Sequence, residues 1–273
     1  MLSTAAGQNK DDTPQHFTNI SSKYHEDPLF QSPSSPHRQW LSTIVFNVLN
    51  LTDDHILVDV GCGSGLDCLW LLDKMNKKIK IVASDPSSGM IQIFNNEIKK
   101  RNLTNIVEAF CMDAVTFSQQ KQQTTYNRIL LKFCIHLLSH EERLLAFNGF
   151  HQQLNCNDNK LVIVTRPGKE IFPLDKRTQE MFASVPSIET YIEELTISGY
   201  TNIKCDIYPY TFDDTVKLND WINLIQKRVW SIFSSEKINE QQMIDLISYL
   251  KQTYQHQQFQ LKDEIYILHC TKK

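Results

Sequence analysis

The chain has 273 residues, of which 41% are hydrophobic and 22% are charged. This length and balance allow one large folded core and exclude a disordered, collagen-like or coiled-coil protein. The 28 basic and 31 acidic side chains leave a net charge of -3, which argues against a nucleic acid as partner.

No apolar run reaches the roughly 20 residues that cross a bilayer, and the first residues lack the pattern of a secretory signal. We therefore expect a cytoplasmic protein that does not contact membranes. The seven cysteines are odd in number and scattered, and no CxxC pair occurs. This spacing predicts neither a disulfide framework nor a metal site.

Residues 1–35 are polar and rich in Ser, Pro, Asn and Gln, which predicts a mobile N-terminal arm. Phe17, Ile20 and Tyr24 interrupt this pattern at helical spacing, so a short amphipathic helix is expected to dock on the body of the protein. Residues 36–273 form the predicted domain, and an apolar helix begins near Trp40.

Short apolar strands alternate with amphipathic helices along the domain. The predicted strands are 55–60, 80–85, 106–113, 126–138, 160–167, 203–212 and 264–271. Their continuous apolar runs indicate burial on both faces, so we expect an α/β fold with a doubly wound, mostly parallel seven-stranded sheet. Between the last two strands lie two helical segments, more than a crossover needs, and residues 216–258 are predicted to form a helical lid.

Three of the eight glycines, Gly61, Gly63 and Gly65, follow the first strand directly. A tight strand-to-helix turn of this kind lets a ligand approach the backbone and presents the amides of a helix N-terminus. Asp59, Asp85 and Asp113 lie at or next to the ends of three successive strands. Because ligands of such sheets bind at the carboxyl edge of the strands, these acids are expected to converge on one nucleotide-like ligand.

The spacing of the glycines separates two kinds of nucleotide site. The dinucleotide fingerprint is GxGxxG, whereas this turn is GCGSG and has Leu66 at the place of the third glycine. No Lys-Ser or Lys-Thr follows, which excludes a P-loop. A dinucleotide oxidoreductase therefore stays as a disfavoured alternative.

The segments DVGCGSG (59–65), DPSSGMI (85–91) and CMDA (111–114) resemble the class I S-adenosylmethionine (SAM)-dependent methyltransferases, with a Rossmann-like fold. In that family the glycine turn surrounds the methionine part of SAM, an acid placed as Asp85 binds the ribose, and one placed as Asp113 contacts the adenine. The resemblance implies SAM as cofactor and the following cofactor-binding residues: Asp59, Gly61, Cys62, Gly63, Gly65, Asp85, Pro86, Met90, Met112, Asp113, Ala114, Lys132 and Phe133. Helix or turn capping is the structural alternative for Asp85 and for Asp113.

The resemblance also implies where the methyl acceptor binds. His136, after the fourth strand, is a candidate base and Tyr24 a candidate for closing over the cofactor, and both could equally be structural. Arg166, Arg228 and Trp230 are candidates for lining the acceptor pocket. The alternative for Arg166 is a side chain that faces solvent. The alternative for Arg228 and Trp230 is a purely structural place in the hydrophobic core. Asn127, where related proteins have Asp, and Lys132 within the strand depart from the family pattern.

The absence of several motifs narrows the range of possible methyl acceptors. The chain has no Pro-Pro of amino-DNA methyltransferases, no Pro-Cys or Thr-Cys of pyrimidine-carbon enzymes, and no paired glutamates in a loop after the fourth strand. A small molecule with an N, O or S acceptor atom is therefore predicted. One alternative is a protein or RNA substrate. Another is that the protein is a regulator that binds SAM without turnover. The sequence does not predict an oligomeric state.

Overall fold

The computed structural model describes residues 13–121, 125–255 and 259–273. Within these residues seven strands form one sheet in the order β3-β2-β1-β4-β5-β7-β6. The strands are β1 (Ile56–Val60), β2 (Lys80–Asp85), β3 (Val107–Cys111), β4 (Arg128–Lys132), β5 (Lys160–Thr165), β6 (Tyr200–Thr211) and β7 (Lys262–Lys272). β1 to β5 pair in parallel, and β7 is antiparallel to both β5 and β6. The predicted α/β, doubly wound and mostly parallel sheet is confirmed.

The helices begin mainly at polar caps. They are α1 (Thr13–Ile20), α2 (Pro36–Leu49), α3 (Leu66–Lys74), α4 (Ser88–Lys100), α5 (Ala114–Ser118), α6 (His140–Gln153), α7 (Lys176–Ala183), α8 (Ile188–Ile197), α9 (Leu218–Gln226) and α10 (Glu240–Tyr254). Single 3₁₀ turns occupy Tyr24–Glu26, Ile135–Leu137 and Ser231–Phe233. Ser35, for example, accepts a hydrogen bond from the Arg38 amide, and Pro36 takes the first helical position of α2.

The sheet is covered on both faces. On one face Leu41, Leu72 and Phe94 of α2, α3 and α4 are buried, and on the other Phe147 and Tyr191 of α6 and α8. The strand order reverses between β1 and β4, so a crevice opens at the carboxyl ends of these two strands. The candidate functional site lies at this crevice.

Three sequence expectations differ from the structure. The strand predicted for 126–138 ends at Lys132, because Phe133 has a left-handed φ of 55° and a 3₁₀ turn follows. α5 and α7 were not predicted; each begins at an aspartate cap, Asp113 or Asp175, and they are short, with five and eight residues.

The described part of the predicted arm is packed. Leu29 and Phe30 are buried in an apolar cluster with Trp221 and Phe233, which we call the lid core. These two apolar side chains outweigh the polar composition around them, so residues 13–35 lie against the body instead of extending from it. Residues 1–12 of the arm and 256–258 of the predicted lid lie outside the described residues, and the division into arm, domain and lid stays a prediction.

Candidate functional site

The glycine turn after β1 has the conformation that its sequence predicts. Gly61, Gly63 and Gly65 have φ angles of 72°, 55° and 77°, which side-chain-bearing residues rarely adopt. A Cβ on Gly65 would lie 2.1 Å from Cδ2 of Phe94, so this glycine is required by packing. A Cβ on Gly63 would meet nothing within 4 Å. The backbone at Gly63 therefore faces space that a ligand can fill.

Asp85 lies directly beside this turn. Its Oδ2 accepts a hydrogen bond from the Gly63 amide and its Oδ1 one from the Ser87 amide, both at 2.9 Å. Ser87, and not Asp85, caps α4 by accepting from the Met90 amide. Burial raises the pKa of Asp85, and the two amide donors oppose that shift. Each carboxylate oxygen keeps a lone pair for a further donor, which suits the hydroxyl groups of a ribose.

A cavity of about 1090 Å³ opens over the turn. Small-molecule sites commonly span about 300 to 1,000 Å³, so this one has room for a nucleoside ligand and a second molecule. Most of the expected cofactor residues border it: Asp59, Gly61, Cys62, Gly63, Asp85, Pro86, Met90, Asp113, Ala114, Lys132 and Phe133. Gly65 and Met112 are not among the lining residues; Gly65 contributes to the turn itself.

The two other acids at the strand ends, Asp59 and Asp113, differ in the direction of their pKa shifts. Asp59 is 2% exposed, and burial together with the nearby charge of Asp67 raises its pKa to about 7. Its Oδ2 accepts a hydrogen bond from Sγ of Cys68 at 3.1 Å. Asp113 caps α5, because its carboxylate accepts from the amide and the hydroxyl of Thr116. Desolvation opposes ionisation of Asp113, but these bonds outweigh it and lower the pKa.

A buried ion cluster forms part of the cavity wall. Asp67 binds Nζ of Lys132 at 2.7 Å and Nη2 of Arg38 at 2.8 Å. Burial alone would raise the pKa of Asp67, but the two cations outweigh it and lower the pKa to about 2. Lys132, the departure from the family pattern, is thus neutralised by an acid from the first turn of α3.

The N-terminal segment forms a second wall. Tyr24 and Phe17 border the cavity, with their ring centroids 5.9 Å apart. His25 Nε2 lies 2.5 Å from Oγ of Ser64 in the glycine turn, and Thr18 Oγ1 lies 3.0 Å from Oγ of Ser87. The segment is therefore attached to both loops that flank Asp85. Burial raises the pKa of Tyr24, so its hydroxyl stays protonated at neutral pH.

Three candidates for the acceptor side do not border the cavity. His136 lies half-buried in the 3₁₀ turn after β4. Arg228 donates to the carbonyl oxygens of Phe233 and Ile238 and so joins two parts of the segment between α9 and α10. Trp230 packs in the lid core, where the Arg166 guanidinium lies 4.8 Å from its ring centroid.

Arg166 is placed between the cavity and the lid core. Its Nε and Nη2 donate to the two oxygens of Asp263 at 2.9 and 2.8 Å, and its guanidinium lies 4.2 Å from the ring centroid of Phe133. Arg166 borders the cavity, in contrast to the solvent-facing alternative. Arg38, Asp67, His37 and Asp263 were missed at the sequence level. They come from distant segments, and no local motif marks them.

Two further properties follow from the described part of the chain. No group of three or more His, Cys, Asp or Glu side chains in residues 13–121, 125–255 and 259–273 is placed to hold a metal ion. In the same residues, none of the helices combines the length and the apolar character that a bilayer crossing requires.

Comparisons with known proteins agree with this geometry. Residues 57–157 match the family described as Methyltransferase domain. The chain is 33% identical over 95 residues to (S)-coclaurine N-methyltransferase of Thalictrum flavum subsp. glaucum, an alignment that covers 35% of this chain and 25% of that protein. The chain thus spans about a quarter of the length of the curated relative that it matches.

Solved structures share the fold at low identity. Haemonchus contortus phosphoethanolamine N-methyltransferase 2, in complex with phosphomonomethylethanolamine and S-adenosylhomocysteine, has a TM-score of 0.63 at 14% identity, over 98% of this chain and 60% of that one. The [4+2]-cyclase SpnF has a TM-score of 0.64 at 14% identity, over 98% of both chains. The cyclopropane synthase MmaA2 from Mycobacterium tuberculosis has 0.60 at 17% identity, over 96% and 94%. Residues 57–157 of the chain thus match a methyltransferase domain, and the chain shares the fold of these solved structures.

Proposed function

We propose that this protein transfers a methyl group from SAM to a nitrogen, oxygen or sulfur atom of a small molecule in the cytoplasm. The observation that carries the proposal is the contact between the Gly63 amide and Asp85 beside open space in the cavity. SAM supplies a methyl group on a sulfonium, which is already activated for displacement. The protein then has to bind and orient two molecules and exclude water.

The residues around the turn fit such a ligand. In this proposal the glycine turn holds the methionine part, the Asp85 carboxylate accepts from the ribose hydroxyls, and Asp113 with Pro86 and Met90 lines the adenine. Pro86 and Met90 both border the cavity next to Asp85.

The acceptor is proposed to bind between the ends of β4 and β5 and the N-terminal segment. Phe133, Arg166 and Tyr24 border this part of the cavity. The cavity has room for a metabolite beside the nucleoside, and residues of the segment 13–31 line one side of it. The name of the coclaurine N-methyltransferase, which matches part of the chain at 33% identity, describes an enzyme that methylates a small amine.

A protein that binds SAM without methyl transfer is the second candidate. The likeness to a [4+2]-cyclase over 98% of both chains supports it, because that fold is not tied to one reaction. The departures at Asn127 and Lys132 were the sequence reason for the same alternative. In the structure Asn127 Oδ1 accepts from the Ile56 amide at the start of β1 and so has a structural partner.

Calorimetry and a labelled-methyl assay separate these candidates. We expect SAM and S-adenosylhomocysteine to bind, and Asp85→Ala to weaken both while the surface variant Asp53→Ala binds normally. The protein is then incubated with methyl-labelled SAM and a panel of amines, phenols and thiols that includes coclaurine, phosphoethanolamine and fractions of a cell extract. Mass spectrometry identifies the methylated product. Binding without a product favours the regulator, and absence of binding contradicts the cofactor assignment.

A further inference from the structure

A histidine, an aspartate and an arginine from three distant segments meet at the wall of the cavity. His37 Nε2 lies 2.8 Å from Oδ2 of Asp263, and Arg166 holds the same carboxylate through two nitrogens. His37 and Arg166 border the cavity, and the Asp263 side chain behind them is fully buried. The nucleoside-binding role proposed above does not use this group.

The surroundings fix the imidazole of His37 in one orientation and one tautomer. Its ring stacks on Phe212 at an interplanar angle of 6°, and Phe30 and Tyr210 contact it edge to face. The Asp263 carboxylate, held ionised by Arg166, accepts only from a protonated nitrogen. The proton of the neutral ring is therefore on Nε2, which leaves a lone pair on Nδ1.

Nδ1 of His37 is buried and has no hydrogen-bond partner among the described residues. The whole residue is 2% exposed. A buried polar atom without a partner is unfavourable, and because His37 lines the cavity, a molecule bound there is the candidate to supply the missing donor. An N–H, O–H or S–H group of a bound molecule would be a suitable hydrogen-bond donor to Nδ1.

We propose that His37 accepts the proton of the methyl acceptor, with Asp263 and Arg166 as positioning residues. This inference rests on the proposed methyl transfer and specifies its acceptor class: an amine, hydroxyl or thiol that loses a proton on methylation, as distinct from a carboxylate, which has none to lose. The lone pair of the acceptor atom forms the new bond to carbon, and the electron pair of the old carbon–sulfur bond remains on sulfur. The acceptor proton moves to Nδ1, and the imidazolium keeps its Nε2–H bond to Asp263.

The charges around His37 suit a proton acceptor. Burial lowers the pKa of His37, the Asp263 carboxylate opposes this shift, and Arg166 and Lys132 reinforce it. Tyr210, the titratable group that β6 places against the ring, stays protonated because burial raises its pKa. The ring is thus neutral at neutral pH and ready to take a proton.

NMR of the full-length protein, labelled at the histidine ring nitrogens and saturated with S-adenosylhomocysteine, tests the tautomer without any methyl transfer. Assignment uses the signal that His37→Gln removes. We expect an unprotonated Nδ1 and a protonated Nε2 at neutral pH. A proton on Nδ1 overturns the proposal, whether or not the protein proves to be a methyltransferase.

Kinetics with an acceptor from the labelled-methyl assay tests the chemical role. His37→Gln keeps an N–H at the place of Nε2 but removes the lone pair of Nδ1. We expect kcat to fall by about 10²-fold to 10⁴-fold, with unchanged affinity for S-adenosylhomocysteine. The acid limb of the pH–rate profile is expected to disappear. His269→Gln, in the surface pair of His269 with Asp206, is the matched control that keeps wild-type activity. A folded His37→Gln protein with the wild-type kcat and pH profile overturns the proposal.

Discussion

Nζ of Lys132 lies 2.7 Å from Oδ2 of Asp67 in the cavity wall, where both side chains are shielded from solvent. Nζ of Lys78 lies at the same distance from Oδ2 of Asp53, but both of these side chains are more than half exposed. The two pairs have one geometry and two environments. Their comparison isolates the effect of burial on an ion pair.

We expect Asp67→Ala to destabilise the protein by about 3 to 5 kcal/mol, because it leaves Lys132 and Arg38 buried without a counter-charge. Asp53→Ala is expected to cost no more than about 1 kcal/mol, since water solvates the remaining Lys78. Urea unfolding of the two variants measures both free energies. Equal losses would show that the cluster at Asp67 is solvated.

The glycine turn provides a second matched pair. Gly63 and Gly65 both have positive φ angles, so alanine introduces backbone strain of roughly 1 to 2 kcal/mol at either place. Only at Gly65 would the new Cβ collide, with Phe94, whereas at Gly63 it would enter the cavity. We therefore expect Gly65→Ala to lower the unfolding free energy further than Gly63→Ala does.

Ligand binding should show the reverse order. Gly63→Val is expected to abolish SAM binding, because its side chain would fill the space over the turn, while the protein stays folded. Calorimetry with SAM and thermal unfolding of Gly63→Val and Gly65→Ala measure the two effects. SAM bound by Gly63→Val with wild-type affinity would contradict the assignment of this space to the ligand.

The sequence predicted the nucleoside side of the site well because one short segment encodes it. The turn 61–65, the end of β1 and the acid that ends β2 are fixed by local rules: glycine at positive φ, strand periodicity, and convergence of parallel strands at one edge. The register of β1 against β2 places Val60 beside Ser84, and hence Gly61 beside Asp85, the last residue of β2. These local features can be recognised directly in the amino-acid sequence.

The acceptor side could not be predicted in the same way. His37 comes from α2, Arg166 from the end of β5 and Asp263 from β7, and their contacts span up to 226 positions of the chain. Each residue is an ordinary helix or strand residue in its own segment. Arg228 was a reasonable candidate by type, but its φ of 53° and its hydrogen bonds to the carbonyl oxygens of Phe233 and Ile238 give it a structural role between α9 and α10. Long-range packing, which no local pattern encodes, decided these positions.

The contact of His25 with Ser64 predicts that docking of the N-terminal segment depends on the glycine turn. Ser64→Ala removes the hydroxyl partner of His25, and the loss of a hydrogen bond worth about 1 kcal/mol raises local opening roughly fivefold. We expect faster tryptic cleavage after Lys23 in this variant. Saturating SAM should slow the cleavage in the wild type, because Tyr24 and Phe17 border the same cavity. Ser88→Ala, at an exposed position of α4, is the control, and equal cleavage of the two variants would show that the His25 contact does not hold the segment.

Asp59 gives the stability a defined dependence on pH. Its pKa is about 7 in the folded protein, because burial and the charge of Asp67 disfavour ionisation, and about 4 in the unfolded chain. The native state therefore keeps a proton that the unfolded state releases, and the stability from this group is full below about pH 4 and is lost as the pH rises through about 7.

Asp59→Asn replaces the protonated acid by a neutral amide and should remove this dependence. We expect the variant to gain stability relative to the wild type as the pH rises from about 5 to about 7, with a slope of at most about 1.4 kcal/mol per pH unit. Asp85 also has a raised pKa, but it is present in both proteins and cancels in the difference. Urea unfolding across this pH range, with the surface variant Asp53→Asn as control, measures the slope. Parallel curves for wild type and Asp59→Asn would mean that Asp59 is ionised in the folded protein throughout, and that the end of β1 carries a charge beside the cavity.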